Sequence, residues 1–268
     1  MTPAIWGILN VTPDSFSDGG LYLEPEDAIA RARQLVDGGA SVIDVGAESS
    51  RPGAERVSAE EEKRRLQPVV EALVAEGMTV SVDTMRAEIA ADLAGRGAQI
   101  VNDVSGGLAD PDMLATVAGL EARYVLMHWR GHSTEMDQKA VYDEVVAQVC
   151  AELRARIDQA TDAGIDPARL MIDPGFGFAK NVDHNWQLTK GLKDVVGLGF
   201  PVLVGASRKR FLGAVLNRDH KATERDGVSA VFSVLAADAG VTAVRVHEPH
   251  VHRDAIAAWR AAKEGAHL

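Results

Sequence analysis

Three side chains that each follow a short apolar run, Asp83, Asn102 and Asp173, have the chemistry to read the edge of a polar heterocycle. A carboxylate only accepts hydrogen bonds, whereas a carboxamide accepts and donates, so the set complements a ring that presents adjacent N–H donors beside an acceptor. Asp173 has the clearest setting. The run Leu170-Met-Ile172 is stopped by Pro174, with Gly175 and Gly177 just beyond, so the carboxylate stands where a buried strand opens into a loop. Unpaired against apolar neighbours it would be costly, and an aminopyrimidine edge or an arginine would satisfy it. The alternative is that Asp173 caps its own Asp-Pro-Gly turn.

A second set of residues suits an anion. Ser207-Arg-Lys-Arg210 follows the small-residue turn Gly205-Ala206, and Val244-Arg-Val-His247 puts Arg245 and His247 on one side of an alternating strand. Ser50-Arg-Pro-Gly53 offers a further guanidinium, although Arg51 could instead pair with Glu48. His247, His250 and His252 match no zinc-ligand spacing. Residues 10–20, Asn-Val-Thr-Pro-Asp-Ser-Phe-Ser-Asp-Gly-Gly, are long for a connection and rich in side-chain oxygens, as in a lid that closes on substrate or a solvated surface loop. Asp103 reads as a loop cap. Met127 could line a ring pocket or simply fill core.

Such residues need a scaffold that gathers them. Apolar runs at 5–9, 42–45, 79–82, 99–101, 124–127, 170–172, 202–204 and 243–246 are short and rich in valine and isoleucine, as strands buried on both faces should be. Helical periodicity lies between them at 24–37, 59–76, 86–95, 141–163, 183–196, 223–239 and 249–263. Gly38-Gly39, Gly77, Gly97, Gly164 and Gly240 follow helix ends. This alternation over 268 residues predicts a single-domain α/β chain, a (β/α)8 TIM barrel. Asn10, Asp44, Asp83, Asn102, His128, Asp173, Ser207 and His247 would then share the C-terminal rim, where barrel enzymes work.

Composition narrows the partners. Hydrophobic residues make up 46% of the chain, enough for a sizeable core, and 39 acidic against 28 basic residues give a net charge of −11. That charge repels nucleic acid and anionic membranes, and no apolar run approaches the ~20 residues needed to span a bilayer. With Cys150 the single cysteine and no leader-like start, a soluble cytoplasmic protein is expected. Residues 228–239 are apolar around nearly the whole helical circumference, which predicts a homodimer.

Taken together, Gly7-Ile-Leu-Asn-Val-Thr-Pro-Asp-Ser-Phe-Ser-Asp-Gly-Gly20, Glu48-Ser-Ser-Arg-Pro-Gly53, Ser81-Val-Asp-Thr84, Val101-Asn-Asp-Val104, Asp173-Pro-Gly-Phe-Gly-Phe178, Ser207-Arg-Lys209 and Val244-Arg-Val-His247 closely resemble dihydropteroate synthase. The resemblance runs from the first strand to the last. It implies condensation of 6-hydroxymethyl-7,8-dihydropterin pyrophosphate with p-aminobenzoate in folate biosynthesis, sensitivity to sulfonamides, a homodimer and a Mg²⁺ requirement. By the same resemblance Asp83, Asn102, Asp173 and Lys209 bind the pterin. Asn10, Arg51, Arg245 and His247 match the pyrophosphate and Mg²⁺ positions, Asn10 being the metal ligand. Ser50, Pro52, Phe178, Ser207 and Lys209 match the p-aminobenzoate side. Several residues depart from the family's usual pattern: Ala47 and Ala179 stand for glycine, Ser50 for threonine, Trp129 for methionine or arginine, and Glu248-Pro249 for Asp-Val. Alanine for glycine matters where the backbone angle is positive, and Glu248 adjoins His247, so it bears on the pyrophosphate corner.

Overall fold

A computed structural model describes residues 2–12, 25–48 and 56–265. Eight parallel strands follow one another in a single sheet: β1 (Ala4–Asn10), β2 (Val42–Gly46), β3 (Val80–Asp83), β4 (Ile100–Asp103), β5 (Arg123–Met127), β6 (Leu170–Asp173), β7 (Leu203–Val204) and β8 (Ala243–Val246). Their order is β6-β5-β4-β3-β2-β1-β8-β7, and a single parallel bridge between Ile172 and Val202 brings the two ends together. The expected (β/α)8 barrel is therefore the fold, with a thin seam where β7, two residues long, meets β6.

The helices are α1 (Pro25–Asp37), α2 (Ala59–Ala75), α3 (Ala87–Gly95), α4 (Met113–Ala118), α5 (Val145–Asp162), α6 (Val182–Lys190), α7 (Leu192–Val196), α8 (Arg210–Gly213), α9 (Asp226–Ala239) and α10 (Pro249–Glu264). Two corrections to the sequence reading emerge. The helix expected over 183–196 is broken into α6 and α7 at Gly191, which is at once the C-cap of α6 and the N-cap of α7. The fourth crossover contains α4, whose six residues are too few to display a helical period. As expected, Gly39, Gly77, Gly97, Gly164 and Gly240 all take positive φ.

Strand alternation explains how the barrel makes a site. Near the N-terminal ends Trp6, Val42, Ile100, Val125, Leu203 and Ala243 form one buried cluster with Met171 packed against it, an apolar plug in the lumen. Side chains two residues further along a strand point the same way. Above Val42, Ile100, Val125, Met171, Leu203 and Ala243 that rule brings Asp44, Asn102, Met127, Asp173, Gly205 and Arg245. The lumen thus changes from hydrocarbon to charge within one pleat. Outside the barrel, two larger apolar clusters pack the helices onto the strands.

Candidate active site

The centre of the polar layer is Arg245 on β8. Its Nε donates to Asp44 Oδ2 at 2.5 Å and its Nη2 to Asp83 Oδ2 at 2.8 Å. Asn102 donates from Nδ2 to Asp44 Oδ2 at 3.1 Å, which fixes its amide orientation and leaves the carboxamide oxygen for a ligand. Asp44 is wholly buried, whereas the Asp83 and Arg245 side chains are each 19% exposed, so two carboxylates share one guanidinium at the boundary between the barrel interior and its mouth. Burial pushes the Asp83 carboxyl up to about 7, with Arg245 pulling against it and the neighbouring Asp44 charge adding to it.

Asp44 corrects the expectation of a strand-end rim residue. It sits mid-strand, one level below the rim, opposite Ile8 and Ser81 in register. A charged residue inside an otherwise apolar, fully buried run was the signal that it faces a partner across the lumen. Arg245, expected at the pyrophosphate, is already committed through two of its donors to Asp44 and Asp83. It therefore fixes the Asp44 and Asp83 carboxylates in place.

Asp173 ends β6 opposite Met127. Its Oδ1 accepts the Gly175 N–H at 2.7 Å, while among the described residues Oδ2 has no hydrogen-bond partner. One oxygen thus caps the turn, and the other is left unpartnered among the described residues. Burial raises its carboxyl, opposed by the Gly175 amide and the Lys209 and Lys180 charges. Met127 is buried and belongs to none of the three apolar clusters. The loop after Asp173 is pinned by Phe176, which is fully buried against Phe211 and Phe232.

Lys209 completes this side. Its Nζ donates to the Phe176 carbonyl and lies 4.3 Å from the centre of the Phe178 ring. Burial lowers its ammonium to about 8, with Asp173 opposing. The preceding residue, Arg208, is buried with a left-handed backbone, φ 60°. It is tied bidentately to Asp226 at 2.6 and 2.8 Å and to Glu248 at 3.3 Å, so it is a structural anchor between Ser207 and Lys209 rather than part of an open basic surface.

At the mouth, Ser207 Oγ accepts the His247 backbone N–H at 3.3 Å and lies 3.0 Å from His247 Nδ1. The serine proton is then free to go to Nδ1, which assigns the ring proton to Nε2. Burial, reinforced by Arg208 and Arg245, holds this imidazole neutral, far below its usual range. Glu248, which adjoins His247, accepts Arg31 Nη2 through Oε1 at 2.8 Å, and the same Nη2 donates to the His247 carbonyl at 2.8 Å. Glu248 thereby holds His247 by its backbone without contacting the ring.

His128, expected on the rim, is instead turned toward α5, with Nε2 2.9 Å from Glu152 Oε2. Asp103 is a loop cap as expected, accepting from Ser105 N, Ser105 Oγ, Gly107 N and Tyr124 Oη at 2.6–2.8 Å. Trp129 is half-buried and meets His132 edge-on at 5.0 Å. Asn10 ends β1 beside Gly46. Ser50, Arg51 and Pro52, and most of the first loop, lie outside the described residues. The stem of the second loop is well defined: Glu48 accepts from Val57 N at 3.1 Å, Arg56 Nε at 3.3 Å and Arg86 Nη1 at 2.8 Å.

Comparison with known proteins closes the question of family. Residues 6–247 match the model of the pterin binding enzymes. The dihydropteroate synthase of Mycobacterium leprae is 50% identical over 261 residues, spanning 94% of this chain and 92% of that protein. The chain belongs to the dihydropteroate synthase family of pterin-binding enzymes. It is a transferase of folate biosynthesis. Among solved structures, the Yersinia pestis synthase in a sulfonamide drug complex superimposes with a TM-score of 0.94 at 37% identity, over 98% of this chain and 95% of that one. The Xanthomonas albilineans synthase in complex with 7,8-dihydropteroate gives 0.88 at 40% identity, over 98% and 95%. Fold and synthase family thus agree along nearly the full length.

Proposed function

We propose that this chain joins 6-hydroxymethyl-7,8-dihydropterin pyrophosphate to p-aminobenzoate, releasing pyrophosphate and 7,8-dihydropteroate. The observation that carries the reading is the inward polar layer, in which Asp83, Asn102 and Asp173 offer unfilled acceptors around a lumen closed below by hydrocarbon. A Xanthomonas relative that holds 7,8-dihydropteroate supports the same product here. Asp173 Oδ2 accepts from the aminopyrimidine edge, and Asp83 with Asn102 reads the remainder of the ring. Met127 covers a face. Ser207, Lys209 and Phe178 bound the p-aminobenzoate side, and Ser50 and Pro52 belong to that side by family resemblance.

No protein nucleophile is required. The bond between the pterin methylene carbon and the pyrophosphate oxygen breaks with its electron pair on oxygen, and the electron-rich dihydropterin stabilises the cationic carbon. The neutral arylamine attacks that carbon and then gives up one N–H proton. Neutral His247, with its proton on Nε2, donates to the departing pyrophosphate, and Arg245 supplies positive charge beside it; Arg51 belongs to that corner by family resemblance. Protein donors aimed at developing charge lower the barrier because they need no reorganisation.

A Mg²⁺ requirement also belongs to the proposal. Among the described residues no cluster of three His, Cys, Asp or Glu side chains is suited to a metal, and the Asn10 carboxamide makes no hydrogen bond there. Mg²⁺ typically takes one or two protein oxygens together with substrate phosphates, so a lone carboxamide at the pyrophosphate corner fits that ion. When bound, the ion offsets charge on the leaving pyrophosphate.

Val231 and Leu235 on α9 are 59% and 45% exposed, which supports a homodimer through that helix; sedimentation as a monomer at micromolar concentration counts against it. No described helix is long and apolar enough to cross a membrane, and we take the cytoplasm as the working compartment. The decisive assay is pyrophosphate release with both substrates and Mg²⁺. Turnover that needs all three, and that sulfonamides inhibit competitively with p-aminobenzoate, is the expected result. Pterin binding without turnover would leave a non-catalytic pterin binder.

A further inference from the structure

Lys180 is buried, yet it follows the site loop and takes no part in the chemistry above. Its exposure is only 7%. An ammonium group has three N–H donors, and Lys180 Nζ meets three acceptors: His128 Nδ1 at 3.0 Å, the Gly175 carbonyl at 3.0 Å and the Phe178 carbonyl at 3.1 Å. The histidine is set to receive it. Glu152 only accepts, so the proton on His128 resides on Nε2 and the Nδ1 lone pair faces the lysine. Burial holds this imidazole neutral, down to about 4. Arg130 fixes Glu152 in turn, donating from Nε at 3.0 Å and also from Nη2.

The loop so held is one that would not keep its shape unaided. Gly175 has φ 69°, and a Cβ there would lie 2.4 Å from the His128 carbonyl oxygen. Ala179 has φ 48°, a left-handed backbone that is strained for a residue with a Cβ. That strained residue stands between Phe178, whose ring bounds the p-aminobenzoate side, and Lys180 itself.

We propose that Lys180 is a positioning residue: it latches the Gly175–Phe178 turn from beneath, and by fixing the Phe178 backbone it sets the wall against which p-aminobenzoate binds. This rests on the synthase reading above. Asp173 is held by the sheet on β6, so the latch acts on the arylamine more than on the pterin. The charged and titratable groups around Lys180 are Asp173 on β6, Lys209 after β7, His128 and Arg130 after β5, Glu152 on α5, Tyr142 with its ring centre 6.0 Å away, and His184 on α6. Burial lowers Lys180 to about 7, with Asp173 opposing, and a neutral amine has one donor fewer than the three acceptors need.

The test is Lys180→Met, with steady-state kinetics for both substrates and hydrogen exchange of the 174–181 segment. The expected result is a KM for p-aminobenzoate raised about tenfold, with kcat and the pterin KM within about threefold of wild type, and faster exchange in that segment. In the wild type the p-aminobenzoate KM should also climb from pH 7 to 9; Lys209, lowered to about 8, loses its charge in the same window, so Lys180→Met shrinks that rise at its lower end and leaves the part due to Lys209. Folded Lys180→Met with unchanged KM and unchanged exchange overturns the latch. Should Lys180→Met not fold, Glu152→Ala removes the group that fixes the His128 tautomer from a side chain that is 40% exposed. It is expected to give the same signature in smaller measure, and wild-type values for it also overturn the latch. An inactive wild type rejects the synthase reading instead, and the exchange data then decide the latch alone.

Discussion

The two halves of the site are held in different ways. On one half Asp44, Asp83, Asn102 and Arg245 stand on strands, and their geometry comes from sheet register plus one guanidinium shared by two carboxylates. On the other half Phe178, Ser207 and Lys209 stand on loops, next to left-handed non-glycine residues, Ala179 and Arg208, that other side chains hold in place. A strand cannot be moved without breaking the barrel, whereas a loop can be retuned. The strand half should therefore fail through stability and the loop half through substrate affinity.

The largest effect is expected at the centre of the strand half. Arg245→Ala strips the partner from Asp44 and Asp83 and leaves buried carboxylates unpaired, which typically costs about 3–5 kcal/mol. Denaturant melts should show that loss before any ligand is added. If Arg245→Ala melts like the wild type, the network is not what holds this half.

Asp173→Asn sits between the two regimes. An asparagine Oδ1 can still accept the Gly175 amide, so the apo melting temperature should stay close to wild type. The second oxygen becomes an N–H donor facing the ring's donors, and pterin affinity measured by calorimetry should fall by about 2–5 kcal/mol. A destabilised variant with intact pterin binding would reduce Asp173 to a turn cap.

The pH dependence of stability separates the halves by sign. Asp83 titrates near 7 in the fold and near 3.9 when unfolded, so between those values the folded state binds the proton more tightly and apo stability gains as pH falls. Lys180 titrates near 7 in the fold and near 10.4 when unfolded; the unfolded chain then holds more protons across that window, and stability gains as pH rises. Each contributes at most about 1.4 kcal/mol per pH unit. Chemical denaturation across pH should show Asp83→Asn flattening only the acid-side slope and Lys180→Met only the alkaline one. Either variant altering the wrong window would contradict the assignment.

The smallest effect is at Ala179. Glycine relieves the positive φ but adds freedom to the unfolded chain, and the two nearly cancel, so Ala179→Gly should shift stability by less than about 1 kcal/mol. A large loss by thermal melt would mean that the Ala179 methyl packs against something essential.

The sequence made the scaffold legible because a strand buried on both faces must be a short apolar run, and each of the eight runs overlaps its strand. Short helices left no period to read, so α4 and α8 were missed, as was the break at Gly191. The strand ends were legible for the same reason, and with them the positions of Asp83, Asn102 and Asp173. Their partnerships were not: Asp44 and Arg245 are 201 positions apart, and only closure of the barrel makes them neighbours. Lys180 drew no assignment from the sequence, because its three acceptors are a histidine from another loop and two backbone carbonyls, and no spacing rule encodes those. Ala179 was flagged by residue type, but the cost of its methyl depended on a backbone angle.

The thin seam between β6 and β7 has a consequence for how the molecule breathes. A hoop with one slender joint opens there first, and this joint, a single bridge between Ile172 and Val202, lies next to Asp173 on one side and the turn carrying Ser207 and Lys209 on the other. In the proposed binding mode, a substrate pair gripped from both sides would span the joint like a staple. Ligand binding should then slow amide exchange most at the seam, and the free energy of that closure becomes part of the apparent affinity for both substrates.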